Sequence, residues 1–172
     1  CLPKDVKSLL GQAESVGLDT CLIRAVNKVN ECQKKVIVKK VCGIFGNDLR
    51  NKIFSIWGLS FKAHTDDIRE SVAITIIDEL RKKGARLYVY DPKVKDVSLD
   101  QEGVQFFYEQ YMTLNNSDGL IVLTDWEEFI NPDFELMGRK MNRKIIFDGR
   151  NVYDREAVDK NGFKCIQIGV KG

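Results

Sequence analysis

Apolar residues fall in two different rhythms along this chain. Between residues 19 and 45 they recur at roughly helical spacing, as Leu22, Ile23, Val26, Val29, Val36 and Val41. Asp19 or Thr20 can cap the start, and Gly46 with Asn47 can end it, so the pattern predicts one long helix over 19–45. Within it the run KKVIVKK at 34–40 interleaves lysines with valine and isoleucine, the composition of an amphipathic helix with a solvated face. A helix of this length outruns the usual dozen residues and needs a surface to pack on, in its own chain or in a second one. It is expected to connect and to dimerise.

After residue 51 the rhythm changes to strands alternating with helices. KIFSIWGL at 52–59 is a nearly continuous apolar run, as a strand covered on both faces should be. Residues 70–83 place Val72, Ile74, Ile76, Ile77 and Leu80 on a helix closed by Gly84, and RLYVYDP at 86–92 is the next strand, which makes a βαβ unit. A further cycle follows: a short helix around 111–116, the strand GLIVLTD at 119–125, a helix over 128–140, the strand KIIFDG at 144–149 and a last strand near KCIQIG at 164–169. The predicted fold class is α/β, a Rossmann-like, doubly wound, mostly parallel sheet preceded by a long connecting and dimerisation helix. The expected domains are 1–50 and 51–172. Ligands of such sheets bind at the carboxyl ends of the strands, which here carry GLSFKAHTDDIRES, YDPKV, TDWEE and FDGRNVYD.

Composition narrows the function classes. At 44% apolar and 30% charged residues with 3 prolines among 172, the chain is globular and carries no low-complexity segment. A net charge of +2 is too small to imply a nucleic-acid surface. No apolar stretch reaches membrane-span length and no signal peptide is present, so the expected protein is soluble and cytoplasmic. Five cysteines without a CxxC pair, and one histidine, His64, argue against both a metal site and a disulfide framework. His64 reads as an exposed loop histidine.

A doubly wound sheet invites a dinucleotide, yet no GxGxxG follows any predicted strand, and the turn after the first one is GLSFK. A complete dinucleotide domain is therefore not expected here. Lys62 and Arg69 bracket a loop able to hold phosphate oxygens, helped by the amides that open the next helix. The alternative is a surface lysine and an arginine pairing Asp66 or Asp67. Near the start, Asp5 stands one helical turn after Cys1, so the two can share a face. Taken alone, Asp5 reads as a first-turn aspartate stabilising the helix dipole, and Cys1 as an inert buried thiol.

Three segments read together change that balance. CLPKDV at 1–6, GLSFKAHTDDIRES at 58–71 and FDGRNVYD at 147–154 closely resemble, in order and spacing, motifs of the UDP-glucose and GDP-mannose dehydrogenase family. The resemblance runs over essentially the whole chain and implies its C-terminal part, from the catalytic cysteine through the UDP-sugar domain, with the N-terminal NAD-binding domain absent. The family oxidises the C6 alcohol of a nucleotide sugar to a carboxylate with two NAD⁺. By this resemblance Cys1 is the nucleophile that carries a thiohemiacetal and then a thioester, and Asp5 helps to activate the hydrolytic water. Lys4 and Arg69 correspond to NAD-contacting positions; Phe61, Lys62 and Arg150 correspond to substrate-binding ones. Lys4 and the start of the first helix can also lower the Cys1 pKa. Leu2 stands where many members have Phe, and the family's upstream acid/base residues have no counterpart here. YDPKV and FDGRNVYD look nearest to the UDP-glucose branch, which implies a UDP-sugar partner and UDP-glucuronate as product, while the homodimer is expected through the helix at 19–45. GDP-mannose or UDP-N-acetylhexosamine oxidation stands as the alternative within the family, and a non-catalytic binding and dimerisation module outside it. Alone, the chain is expected to be inactive as a dehydrogenase.

Overall fold

A computed structural model describes residues 2–95 and 102–170. The chain divides into two compact units, Cys1–Val36 and Ile37–Gly172. The first unit is a pair of helices, α1 (Leu2–Ser15) and α2 (Cys21–Lys34). Pro3 suits the first turn of α1 because its missing N–H has no intrahelical partner there, and Asp5 in that turn faces the positive end of the helix dipole. The helix ends at Gly17, whose φ of 73° is accessible to glycine, with the Leu18 amide donating to the Ala13 carbonyl at 3.0 Å. Asp19 Oδ1 then accepts from the Cys21 amide at 2.9 Å, and Arg24 reaches back to Glu14 at 2.9 Å, tying α2 to α1. Helix α2 buries none of its residues; Leu22, Val26 and Val29, at i, i+4 and i+7, are exposed.

The stretch expected as one helix over 19–45 is helical nearly throughout but in two segments. Lys35 (φ −96°, ψ 2°) parts α2 from α3 (Val36–Phe45), and its amide is shared between the Cys32 and Gln33 carbonyls. The correction has a physical origin. Ile37, Val38 and Val41 of α3 are buried in the second unit, whereas α2 is solvated, so the two halves answer to different surroundings despite one continuous apolar spacing.

The second unit continues with β1 (Ile53–Trp57), α4 (Val72–Lys82), β2 (Arg86–Tyr90), β3 (Val104–Phe106), a 3₁₀ turn at Gln110–Leu114, β4 (Gly119–Val122), α5 (Glu127–Ile130), α6 (Phe134–Lys140), β5 (Ile145–Asp148), α7 (Arg155–Lys160) and β6 (Lys164–Gln167). The strands form one sheet in the order β3-β2-β1-β4-β5-β6, and every pair is parallel. This is the doubly wound order of a Rossmann sheet.

Side chains alternate across the sheet and build two apolar layers. On one face Phe54 and Ile56 of β1, Ile121 of β4 and Phe147 of β5 pack beneath α3 and α4; on the other Trp57, Leu120, Val122 and Ile146 meet Phe129, Met137 and Val158 of α5, α6 and α7. The largest of these, Trp57 and Phe54, are wholly buried, and truncating either would cost about 3–5 kcal/mol. Burying the Trp57 indole requires a partner, which Thr113 Oγ1 supplies at 2.9 Å.

Ser71 caps α4 by accepting from the Ala73 amide at 3.2 Å, Asp133 caps α6, and Asp154 caps α7. The single helix expected over 128–140 is in fact α5 and α6, because Pro132 between them has no amide to donate and restricts Asn131 before it. The strand β3 and the helix α7 were not foreseen. Three and six residues respectively are too short to display a period, and β3 exists through its pairing with β2.

Candidate functional site

Strand order reverses between β1 and β4, so the loops leaving their carboxyl ends diverge and open a crevice. Three loops meet there, after β1, β4 and β5. The turn out of β1 is made by Gly58 (φ 94°), whose amide donates to the Tyr90 carbonyl at 2.9 Å. A Cβ at Gly58 would run into the Thr124 side chain and stand 2.7 Å from the Thr124 amide nitrogen, so glycine is what lets the β1 and β4 loops lie side by side. Thr124 Oγ1 donates to the Ser60 carbonyl at 3.0 Å across that seam. At Gly149, after β5, a Cβ would sit 2.9 Å from the Val122 carbonyl oxygen.

The loop from β1 to α4 folds on itself: the Phe61 amide donates to the Asp67 carbonyl at 2.8 Å, and the chain passes through left-handed conformations at His64 (φ 64°) and Glu70 (φ 57°). Phe61 presents a ring that is 44% exposed, and Lys62 beside it is exposed. The His64 ring meets Trp126 edge-on at 5.4 Å.

Arg150 brings the three loops together. Its Nε donates to the Leu123 carbonyl at 2.9 Å and Nη2 donates to the Phe61 carbonyl at 2.9 Å, while its own amide donates to Asp148 Oδ1 at 3.1 Å. Two of the guanidinium's five N–H donors are thereby committed to main-chain carbonyls, which fixes the plane and leaves the others for an anion. Asp148, buried at the end of β5, also accepts from the Tyr153 amide (3.1 Å) and Gln167 (3.0 Å). Asp91, buried at the end of β2, accepts from amides of the β1 loop and from the Trp126 indole.

The predicted site residues thus separate into groups. Phe61, Lys62 and Arg150 share the crevice between the β1, β4 and β5 loops. Arg69 lies in the β1–α4 loop, but its fork is engaged with Asp67 at 2.9 and 2.7 Å, the pairing weighed as its alternative role, and these bonds hold the Asp67 carboxyl down to about 2. Lys4 and Asp5 are exposed in the first turn of α1, in the other unit, and Cys1 lies outside the described residues. Sequence reasoning missed Asp91, Thr124, Trp126 and Asp148. Their signal was a polar residue directly after an apolar strand run, in YDPK, LTDW and FDGR.

The pKa shifts at the described residues do not supply a nucleophile. Burial, with Asp148 nearby, pushes the Cys165 thiol up to about 12, the behaviour of an inert thiol. Burial likewise raises Tyr153, whose hydroxyl donates to the Phe129 carbonyl at 2.7 Å. No group of three or more metal-ligating side chains occurs among the described residues, and no described helix is long and apolar enough to cross a membrane. A cavity of about 300 Å³ against β2 and β3, lined by Arg86, Leu87, Gly103 and Val104, lies toward the opposite ends of the strands and is not part of the crevice. What the crevice offers is an anchored arginine beside an exposed aromatic ring, with the exposed Lys62 next in sequence, a set suited to a phosphorylated ligand with an apolar or planar part.

The profile of the UDP-glucose/GDP-mannose dehydrogenase family, UDP binding domain, matches residues 55–155, which include all three crevice loops. A UDP-glucose 6-dehydrogenase of Rhizobium meliloti is 32% identical over 98% of this chain and 39% of its own length. Among solved structures, a UDP-glucose dehydrogenase from Pyrobaculum islandicum superposes with a TM-score of 0.79 at 30% identity, covering 98% of this chain and 36% of that one. A UDP-D-ManNAc dehydrogenase from Pyrococcus horikoshii gives 0.78 at 28% identity, covering 98% and 38%. The chain therefore spans about two fifths of the length of these relatives.

Proposed function

The chain belongs to the UDP-glucose/GDP-mannose dehydrogenase family, and from that premise we propose that it forms the UDP-sugar side of an NAD-dependent dehydrogenase that oxidises UDP-glucose to UDP-glucuronate. The domain reading that goes with this proposal is an active-site and dimerisation segment at 1–50 and a UDP-sugar domain at 51–172. The observation that carries it is the position of Arg150, bonded to the carbonyls of Phe61 and Leu123 at the mouth of the sheet. In this reading Arg150 and Lys62 hold the diphosphate or sugar oxygens, and the Phe61 ring forms an apolar wall. Arginine suits the task because its planar fork pairs with phosphate while its other edge stays anchored to the protein.

The chemistry assigned to Cys1 follows from the oxidation level of the substrate. Loss of one hydride and one proton turns the C6 alcohol into an aldehyde. The Cys1 thiolate adds to that carbon, a second hydride leaves the resulting thiohemiacetal, and water releases the thioester as a carboxylate while sulfur takes back a proton. Asp5, one turn along α1, is assigned to the hydrolytic water. A nicotinamide cofactor, when bound, would supply the acceptor for both hydrides. The sheet described here does not fit it as a cradle, since the β1 turn lacks the glycine-rich loop and the acid after β2 is already saturated by protein donors; Lys4 and Arg69 are the positions assigned to reach it. Leu22, Val26 and Val29 of α2 are assigned to a homodimer contact, supported by their exposure on a helix that buries nothing.

Calorimetric titration of the chain with UDP tests the reading. Binding is expected, weakened about tenfold or more by Arg150→Ala, as loss of a charge-assisted contact implies; absence of UDP binding, or an unaltered affinity in the variant, would overturn it. For catalysis, Cys1→Ser in an enzyme completed by a dinucleotide-binding domain is expected to abolish four-electron turnover, and equal UDP-glucuronate formation would remove Cys1 from the mechanism. Oxidation of a UDP-N-acetylhexosamine is the second reading, supported by the likeness to the Pyrococcus horikoshii protein. Direct competition between the two UDP-sugars decides it.

A further inference from the structure

In a sheet of the order found here, the acidic residue after β2 is the one a bound dinucleotide meets with its ribose hydroxyls. In this protein that residue is Asp91, and it is closed to any ligand. Its Oδ2 accepts from the Leu59 amide (2.8 Å), the Ser60 amide (3.0 Å), the Ser60 hydroxyl (3.0 Å) and the Trp126 indole (3.3 Å). Its Oδ1 accepts from the amides of Lys93 (2.9 Å) and Val94 (3.0 Å). Six protein donors thus converge on one carboxylate that is 0% exposed. An uncompensated buried charge would be costly, whereas one satisfied in this way is a rigid node.

The node's partners are informative. Leu59 and Ser60 lead directly into Phe61 and Lys62, and the Ser60 carbonyl is the acceptor for Thr124. Trp126 is in the β4 loop, and the His64 ring, at the tip of the β1–α4 loop, rests edge-on against it. The carboxylate therefore joins the two loops that flank the crevice, at their roots, and His64 acquires a place as the outer end of the same chain of contacts.

We propose that Asp91 is a positioning residue for the nucleotide site, holding the β1–α4 loop against the β4 loop so that Phe61 and Lys62 meet the ligand in a fixed geometry. This rests on the assignment of that crevice to UDP. Asp91→Asn is a discriminating change, because either orientation of the amide turns an NH₂ group toward N–H donors that the carboxylate satisfies. Asp118→Asn is the matched control: Asp118 is also buried and accepts from the Ile53 amide at 3.1 Å, but at the entry to β1, at the opposite end of the strand from the crevice.

The experiment pairs UDP titration with residue-resolved amide hydrogen exchange on the wild-type, Asp91→Asn and Asp118→Asn chains. Both variants are expected to lower the thermal midpoint. Only Asp91→Asn is expected to weaken UDP affinity, by about tenfold, and to accelerate exchange at Leu59, Ser60 and through residues 58–71. Equal UDP affinities in the two variants, or loop exchange unchanged in Asp91→Asn, would overturn the proposal. A wild-type chain that binds no UDP would refute the functional reading instead, and the exchange data would still decide whether Asp91 holds the loop.

Discussion

Adding one methyl group at Gly58 should damage this protein far more than the same change at Gly84. Both glycines have positive φ, 94° and 89°, so both substitutions carry the backbone penalty of an L residue there, roughly 1–2 kcal/mol. They differ in what the methyl group meets. At Gly84 the nearest atom is Arg50 Cγ at 2.6 Å, part of a side chain that is 79% exposed and able to swing away. At Gly58 the obstacles are the Thr124 side chain, wholly buried, and the Thr124 amide nitrogen at 2.7 Å, so the β4 loop itself must move. That displacement adds an overpacking cost of about 1–3 kcal/mol and breaks the Thr124–Ser60 hydrogen bond, about 1 kcal/mol more. Gly58→Ala is therefore expected to cost roughly 3–6 kcal/mol, a large share of a typical domain's stability. For a chain of this size that corresponds to about 6–24 °C in the thermal midpoint, against about 2–8 °C for Gly84→Ala. Circular dichroism melts of the two variants beside the wild type measure the difference. If Gly58→Ala melts no lower than Gly84→Ala, the close approach of the β1 and β4 loops is not what the glycine serves.

Three further outcomes are expected. Hydrogen bonds from Arg69 depress the Asp67 pKa to about 2, so the contribution of this exposed pair is present above the ordinary value of 3.8 and is lost as pH falls through about 2. Carboxyl-detected NMR should find the Asp67 midpoint moving up toward 3.8 in Arg69→Gln, and an unmoved midpoint would contradict the pairing. Thiol labelling near neutral pH followed by mass spectrometry should modify Cys21 and Cys32, which are exposed, while sparing Cys165, which is 4% exposed and has a pKa raised to about 12; rapid labelling of Cys165 in the folded chain would refute its burial. In sedimentation the chain should form a dimer that Leu22→Glu together with Val29→Glu dissociates, and a wild-type monomer at high concentration would remove the contact assigned to α2.

Much of the architecture was legible before any coordinates. Parallel strands buried on both faces leave unbroken apolar runs, so β1 in KIFSIWGL and β4 in GLIVLTD announced themselves, and Gly84 marked the end of α4. Elements formed by their partners left no such trace: β3, at three residues, depends on pairing with β2. The break at Lys35 is invisible to periodicity because both helices it separates keep the same apolar spacing.

Of the candidate site, the sequence alone determined the residue types and their motifs: Phe61 and Lys62 in GLSFK, Arg150 in FDGRN, and the want of a glycine-rich cradle after β1. Those are local properties, written in consecutive residues. Only the tertiary structure decided that Arg150 donates across 89 positions of sequence to the Phe61 carbonyl and that Asp91 gathers donors from three loops. Hydrogen bonds between distant segments have no periodic imprint in sequence. They exist because a doubly wound sheet returns each strand to the same edge and delivers their carboxyl ends to one place.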